Sequence, residues 1–524
     1  MRDWQHDPEI VFAFIGVTVG AISIALFLAG VFPLGPVNFW FFSVLLVLLG
    51  LYRPNWCFLF LVAVVPFEII TVSPDTLSLS LRPYQWVFLA LSIALSVRVL
   101  SGRSRFPLFA PSRLDYFLAL IPIGALISGV TSGGQGVRLA VIVISFYAFY
   151  LLGRVFLKTI GDIRIAMATL FASGLVTAVY GIAQNIAFEQ GISLSAVMPG
   201  RPNGLFAEPD WLGFFMALLL ALALSRLAST LEQSADYLRQ KWARLLFSAT
   251  LLLPVLVALI LTVSRSAWLA AVAGVLVWAA TMILIRGKES FYLVLQSVQT
   301  LIIMFVVALL IVIDIPLTRF DLFQRAESTA TGFQEITIAC DTLTNLPGVI
   351  QSIDELAAFD CRHINLEDRT ALQSAGFSIQ TVRRPDPNVA IRSEIYGRTW
   401  EEIKTHPVFG IGWGNIGPIL GTDAHGSSYN ASNVWLEIVL GAGLIGLLGL
   451  FAALGFIVYQ GARLARFRDQ SSDATASLPL IAAFLVMFFV FNLFNAGLLI
   501  GLVWLAFAML PPLLPSRPTE VKVL

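Results

Sequence analysis

The sequence predicts an all-α polytopic membrane protein of about 12–14 transmembrane helices, with a long extracytoplasmic loop that contains a small α/β insert. Three observations carry that prediction. Of 524 residues, 58% are hydrophobic and only 12% charged, against about 25% charged in soluble domains. Mean hydropathy is +0.84. Apolar runs of about 16–22 residues, long enough to cross a bilayer, recur along the chain. Net charge is +1, which argues against a nucleic-acid partner.

The runs fall at 10–32, 37–51, 56–72, 84–99, 115–131, 137–155, 163–187, 208–226, 245–263, 267–285, 292–314, 433–460, 477–496 and 499–514. The first is long and is followed by no small-residue cleavage site, so it reads as a retained helix and not a signal peptide. Alternating these runs across the membrane from a cytoplasmic N-terminus puts 20 of the 33 Lys and Arg in inner segments. The short outer segments then hold only Arg82, Arg138, Arg201 and Arg265. Positive charge favours the cytoplasmic side in short loops, so both termini are expected in the cytoplasm of a multi-pass inner-membrane protein. The nine cations left over lie in a long polar segment, which translocates largely regardless of charge.

The chain thus divides into helices at 1–314, an extracytoplasmic loop at 315–432, three more helices at 433–514 and a cytoplasmic tail at 515–524. Within the loop, an insert at 330–390 precedes a site-bearing segment at 391–432. In the insert, Glu335–Ala339 reads as a strand, Gly348–Phe359 as an amphipathic helix and His363–Leu366 as a second strand. Arg384-Pro385-Asp386-Pro387 reads as a linker back to the membrane. If this loop is extracytoplasmic, a disulfide between Cys340 and Cys361 is open to it, although two cysteines at this spacing also arise by chance. Cys57 reads as a buried thiol. No metal-ligand spacing occurs among the cysteines and His6, His363, His406 and His425.

Only Ser264-Arg265-Ser266 separates the ninth and tenth runs, so a guanidinium sits at the edge of the hydrocarbon. An unpartnered charge at that depth costs on the order of several kcal/mol, which makes Arg265 a functional candidate. The outer segments add Arg201, Arg392 and Arg398. Arginine is planar, always protonated and bidentate, so four of them at one interface suit a multiply charged anion such as a lipid-linked pyrophosphate. His425 lies near them in sequence and titrates in the range needed to accept a hydroxyl proton. The run Gly410-Ile411-Gly412-Trp413-Gly414 would let backbone amides approach a ligand, with Trp413 as a sugar-stacking face. Asn433 and Trp435 stand at the mouth of the next helix as further glycan contacts. Each has a plainer reading. Interfacial arginines snorkel to lipid phosphates, tryptophans form belts, and Glu68 inside an apolar run serves as a hydrogen bond between helices.

Thr262-Val263-Ser264-Arg265-Ser266-Ala267-Trp268-Leu269-Ala270 resembles the Ser-Arg-(Gly/Ser)-Ala-Trp hairpin of the O-antigen ligase and O-antigen polymerase family. Arg398-Thr399-Trp400, His406-Pro407-Val408-Phe409-Gly410-Ile411-Gly412-Trp413-Gly414-Asn415 and Asn433-Val434-Trp435-Leu436-Glu437 with Gly443-Leu444-Ile445-Gly446 are similar to its other signatures. Arg201-Pro202-Asn203-Gly204-Leu205-Phe206 is similar to a weaker upstream motif. The resemblance spans about 200–460 without the insert. It implies a metal-independent, cofactor-free membrane glycosyltransferase. Such an enzyme moves a glycan from an undecaprenyl-diphosphate carrier to an acceptor hydroxyl on a lipid, glycan or protein. By motif position, it implies Arg265 and Arg398 as diphosphate ligands and a loop histidine that assists the acceptor.

Two departures bear on the base. Many members place His-Asn where this chain has Ser432-Asn433, and an acid where it has Gly441. Either His425 supplies the base or another group does. The alternative function is a transporter or flippase of lipid-linked oligosaccharide. Ion-coupled transporters carry acids and bases near mid-membrane, whereas here Glu68 is the main intramembrane acid and the charges gather at one face.

Overall fold

The computed structural model describes residues 8–77, 80–104, 108–133, 135–192, 194–198, 200–233, 238–315, 317–318, 322, 332–342, 346–364, 369–422, 428–467 and 473–514. Among the described residues, the helices with stated bounds before the insert are α1 (Pro8–Leu28), α2 (Pro36–Tyr52), α3 (Pro54–Val64), α4 (Pro83–Leu100), α5 (Arg113–Ser132), α6 (Gln135–Phe156), α7 (Ile160–Glu189), α8 (Pro209–Gln233), α9 (Leu238–Leu261), α10 (Arg265–Arg286) and α11 (Glu289–Asp314). Proline opens α2, α3 and α4, where its missing N–H costs nothing and its φ is already helical. Among the described residues, ten helices are long and apolar enough to cross a membrane, and Pro36–Tyr52, Pro54–Val64, Leu245–Leu261 and Gly501–Leu513 are shorter apolar ones. This is a polytopic helical membrane protein.

The third expected run is cut short. α3 stops at Val64, two residues before Pro66, and the chain continues without helix through Phe67, Glu68 and Ile70, all buried. Val65 still has helical angles, but Pro66 has no N–H to continue the ladder and the amides of Glu68 and Ile69 donate to Leu205 O instead, so apolarity alone overran the true end.

The insert is a three-stranded antiparallel sheet, β1 (Phe333–Cys340), β2 (Cys361–His363) and β3 (Ser378–Pro385), in the order β2-β1-β3. Cys340 lies opposite Cys361 in the register and the two form a disulfide. Ile336, Ile338, Ile350, Leu356 and Val382 build a small core around it, separate from the bundle core. Two expectations change here. The helix expected at Gly348–Phe359 is a 3-10 helix limited to Ile353–Phe359, because Gly348 and Ile350 instead hydrogen-bond to Arg383 alongside β3. The supposed linker is the end of β3, where Phe333 pairs with Pro385. A proline is tolerated there because the next residue makes the ladder bond, Asp386 N donating to Gly332 O, so the Pro385 nitrogen faces away from β1. A short helix, α12 (Arg369–Ser374), precedes β3.

Five elements lead back into the bundle or complete it: α13 (Pro387–Thr405), α14 (Trp413–Leu420), α15 (Val434–Phe467), α16 (Asp473–Asn492) and α17 (Gly501–Leu513). α15 packs along α5, α16 along α10, and α17 along α6. α15 is broken at Gly443, which takes φ 65°. The break receives the chain before α14: the amides of Ile411 and Gly412 donate to Leu440 O at 2.7 and 3.0 Å, and Leu444 N donates to Pro407 O at 3.1 Å. A Cβ on Gly443 would lie 1.9 Å from Val408 O. Gly443→Ala is therefore expected to destabilise the protein by at least about 2 kcal/mol, through both the positive φ and the clash with backbone. Gly455→Ala, in the same helix with nothing within 4 Å of the added carbon, is expected to leave thermal unfolding in detergent unchanged.

Candidate functional site

The site assembles from loops at one end of the bundle. Polar side chains buried on α7 shape the first of them. Tyr180 Oη and Gln184 Nε2 both donate to Leu194 O at 3.0 Å, and Gln184 also exchanges bonds with Gly204. Asn185 Nδ2 donates to Gly200 O at 3.3 Å and to Leu317 O at 2.9 Å. From another side, the amides of Glu68 and Ile69 donate to Leu205 O at 2.8 and 2.9 Å. Irregular backbone at membrane depth survives only when its polar groups are met from within the protein, and this loop is met from two directions. Glu68 belongs to this support. Its buried carboxylate pairs with Arg82 at 3.7 Å, so it braces a loop and does not bond helix to helix.

The second loop is the Arg265 hairpin. Val263 adopts φ 51°, Ser264 caps α10 by accepting from Ala267 N at 3.4 Å, and Arg265 is the first residue of the helix. Gly213 of α8 allows this turn to come close, since a Cβ there would stand 2.7 Å from Ala267 Cβ. Arg201 reaches across to the hairpin: its Nε donates to Thr262 O at 2.9 Å and its Nη2 to Asp210 Oδ1 at 3.4 Å. The Ser264 hydroxyl donates to the same Asp210 oxygen. Arg265 Nη1 donates to Asp386 Oδ2 at 3.2 Å, and the Asp386 side chain is 2% exposed against 23% for Arg265.

The third loop joins α16 to α17 and is the hub. Three consecutive residues bind three separate pieces of chain. Leu493 O accepts from Asn433 Nδ2 at 3.1 Å, Phe494 O accepts from Arg392 Nη2 at 3.3 Å, and Asn495 Nδ2 donates to Ser266 Oγ at 2.9 Å. The Arg392 guanidinium also lies 5.8 Å from the Phe494 ring centroid. Arg392, Ile395 and Thr399 lie at helical spacing along one face of α13, with Ile395 and Thr399 buried.

Arg201, Arg265 and Arg392 are thus joined through the hairpin and the hub. Arg398 is placed differently. Six positions beyond Arg392, it falls on another face of α13, donates to Glu394 Oε1 at 2.6 Å and to Leu420 O at 3.4 Å, and stands beside the Gly421 turn. His425, four residues past that turn, lies outside the described residues.

The expected glycan contacts are packed against the protein. Trp413 is 6% exposed, and its ring fills the space that a Cβ on Gly441 would occupy. The amides of Ile411 and Gly412 are taken by Leu440 O and do not face a ligand. Trp435 stacks on Phe451 at 5.2 Å with 2° between the planes. Asn433 caps α15, its Oδ1 accepting from the amides of Trp435 and Leu436 at 3.0 and 3.2 Å.

Sequence reasoning passed over Asp210, Asp386 and Asn495. Asp210 had a usable signal, an acid in the first turn of a membrane helix beside a candidate arginine. Asp386, held between two prolines, read as loop punctuation. Asn495 is 229 positions from Ser266, and no local pattern announces such a pair.

Arg201 and Arg265 flank the N-terminus of α10, where the helix dipole favours negative charge. Each guanidinium is held by a carboxylate, which fixes its direction while its charge remains. The two guanidinia and the helix start thus lie together where apolar helices give way to polar loops.

Residues 248–451 match the model of the family described as O-antigen ligase. No curated protein matches the chain. The matched stretch contains the hairpin, the insert, α13 and the Gly443 break, while Arg201, Asp210 and the hub loop lie outside it. Asn495→Ala is expected to lower stability by about 1 kcal/mol, the usual net worth of one hydrogen bond, since Ser266 keeps its bond to the Ser264 hydroxyl, as read by thermal unfolding in detergent.

Proposed function

We propose that this chain, whose residues 248–451 match the O-antigen ligase model, transfers a glycan from an undecaprenyl-diphosphate carrier to an acceptor hydroxyl at the outer face of the cytoplasmic membrane. The observation that carries this reading is the pairing of Arg201 with Thr262 O and Asp210, beside Arg265 at the first turn of α10. A lipid diphosphate has its tail in hydrocarbon and its charge at the boundary, where these guanidinia stand. The charge asymmetry of the short loops supports the outer face for this end of the bundle, with both termini in the cytoplasm.

In the proposed reaction an acceptor hydroxyl oxygen attacks the anomeric carbon. A carbon–oxygen bond forms there as the bond to the carrier diphosphate breaks, and the electron pair leaves with the diphosphate. Arg201 and Arg265 bear the growing negative charge, the electrostatic contribution that usually dominates such steps. Arg392 and Arg398 are the outer arginines of the same reading. Arg392 steadies the hub loop, and Arg398 stands beside Gly421, four residues before His425 in sequence. His425 is the proposed acceptor of the hydroxyl proton, in the range where an imidazole exchanges protons near neutral pH.

Purified protein in liposomes, given a labelled undecaprenyl-diphosphate glycan and a candidate acceptor, is expected to yield longer glycan, glycolipid or glycoprotein. Which of these appears identifies it as polymerase, lipid ligase or protein-glycosylating transferase. Movement of intact carrier across the bilayer without transfer would instead establish a flippase. Arg265→Ala is expected to lower transfer by about 10²–10³-fold, the usual effect of removing one donor to a developing anion, at an unchanged membrane level. Full activity in that variant would remove Arg265 from the mechanism.

A further inference from the structure

Asp386 is the junction between the stapled sheet and the site. Its amide donates to Gly332 O at 2.9 Å, one step past the Phe333–Pro385 pair of the β1–β3 ladder, and its carbonyl accepts from Val389 N at 3.0 Å, in the first turn of α13. Prolines on both sides restrict its backbone further. From that fixed point its side chain spans 121 positions of sequence to reach Arg265.

We propose that Asp386 is a positioning residue: it holds the Arg265 guanidinium in the orientation that receives the carrier's diphosphate, and so makes the disulfide-stapled insert a working part of carrier binding. This rests on the diphosphate reading above. An arginine side chain loses much rotamer freedom when it is fixed, and an anchored carboxylate removes much of that loss from the binding step. The opposite role, a latch that blocks Arg265 until substrate displaces it, requires Asp386 to move away. Its backbone is tied on both sides, and its carboxylate would be left buried without its guanidinium partner, a costly state. The pair therefore persists when the anion arrives, and Arg265 meets it with the 23% of its side chain that is exposed. The Arg384 guanidinium also attracts the Asp386 carboxylate from β3.

The test uses the full chain in nanodiscs, with binding of undecaprenyl diphosphate measured against undecaprenyl monophosphate. Asp386→Asn keeps the shape and removes the charge. It is expected to weaken diphosphate binding about tenfold while monophosphate binding changes little. Asp386→Glu, which restores the charge but displaces it, is expected to fall between the two. In an Arg265→Ala background Asp386→Asn is expected to add no further loss, since residues that act through one another are not additive. Unchanged or tighter diphosphate binding in both Asp386 variants overturns the inference, and tighter binding identifies a latch. Equal weakening toward both lipids, with a lowered unfolding temperature, overturns it in favour of a purely structural role. If Asp386→Asn does not accumulate, Asp386→Glu alone carries the comparison. Wild-type protein that does not distinguish the two lipids would reject the diphosphate reading itself, an outcome separate from any effect of the variants.

Discussion

A guanidinium in the first turn of α10 faces the positive end of a helix dipole at the edge of an apolar bundle, and both conditions oppose it. The ion pair with Asp386 answers both at once. Satisfying that one charge draws in much of the surrounding architecture. The carboxylate must come from a fixed point, so the chain between α11 and α13 forms a sheet whose ladder closes at Gly332 and Asp386. That sheet is small, with a core of a few aliphatic residues, and a disulfide linking β1 to β2 lowers the entropy of the unfolded segment.

The same constraint governs the backbone around the site. Loops that reach into an apolar environment must find every hydrogen bond inside the protein. Buried Gln184 and Asn185 of α7 supply them for the Arg201 loop, and the hub between α16 and α17 distributes them to Asn433, Arg392 and Ser266. The hub loop matters because it connects elements far apart in sequence through three adjacent residues. A displacement of α16 would be felt at the hairpin and at α13 together.

Glycines and tryptophans in this region serve closeness of packing. Gly441 makes room for the Trp413 ring, Gly443 turns α15 beneath Val408, and Gly410 lies against the carbonyls of Val439 and Leu440. These contacts lock the segment before α14 onto the broken helix. They explain why Gly410-Ile411-Gly412-Trp413 looks like a ligand cradle in sequence and behaves as a joint in structure.

The sequence by itself determined the membrane class, the helical runs, the charge asymmetry and the prominence of Arg265. Each rests on composition or on local periodicity, which are properties of short stretches. It also exposed the hairpin motif, because a cation between two apolar runs is costly wherever the rest of the chain lies. Only the tertiary structure decided what partners that cation. Asp386 and Asn495 reach the hairpin over 121 and 229 positions, and which side chains meet at such separations follows from how the helices pack, not from local pattern. Tertiary packing likewise buried Trp413, stacked Trp435 on Phe451 and put Arg392 and Arg398 on two faces of α13. Periodicity reports which face of a helix is apolar, but the neighbour it packs against is fixed by the whole fold.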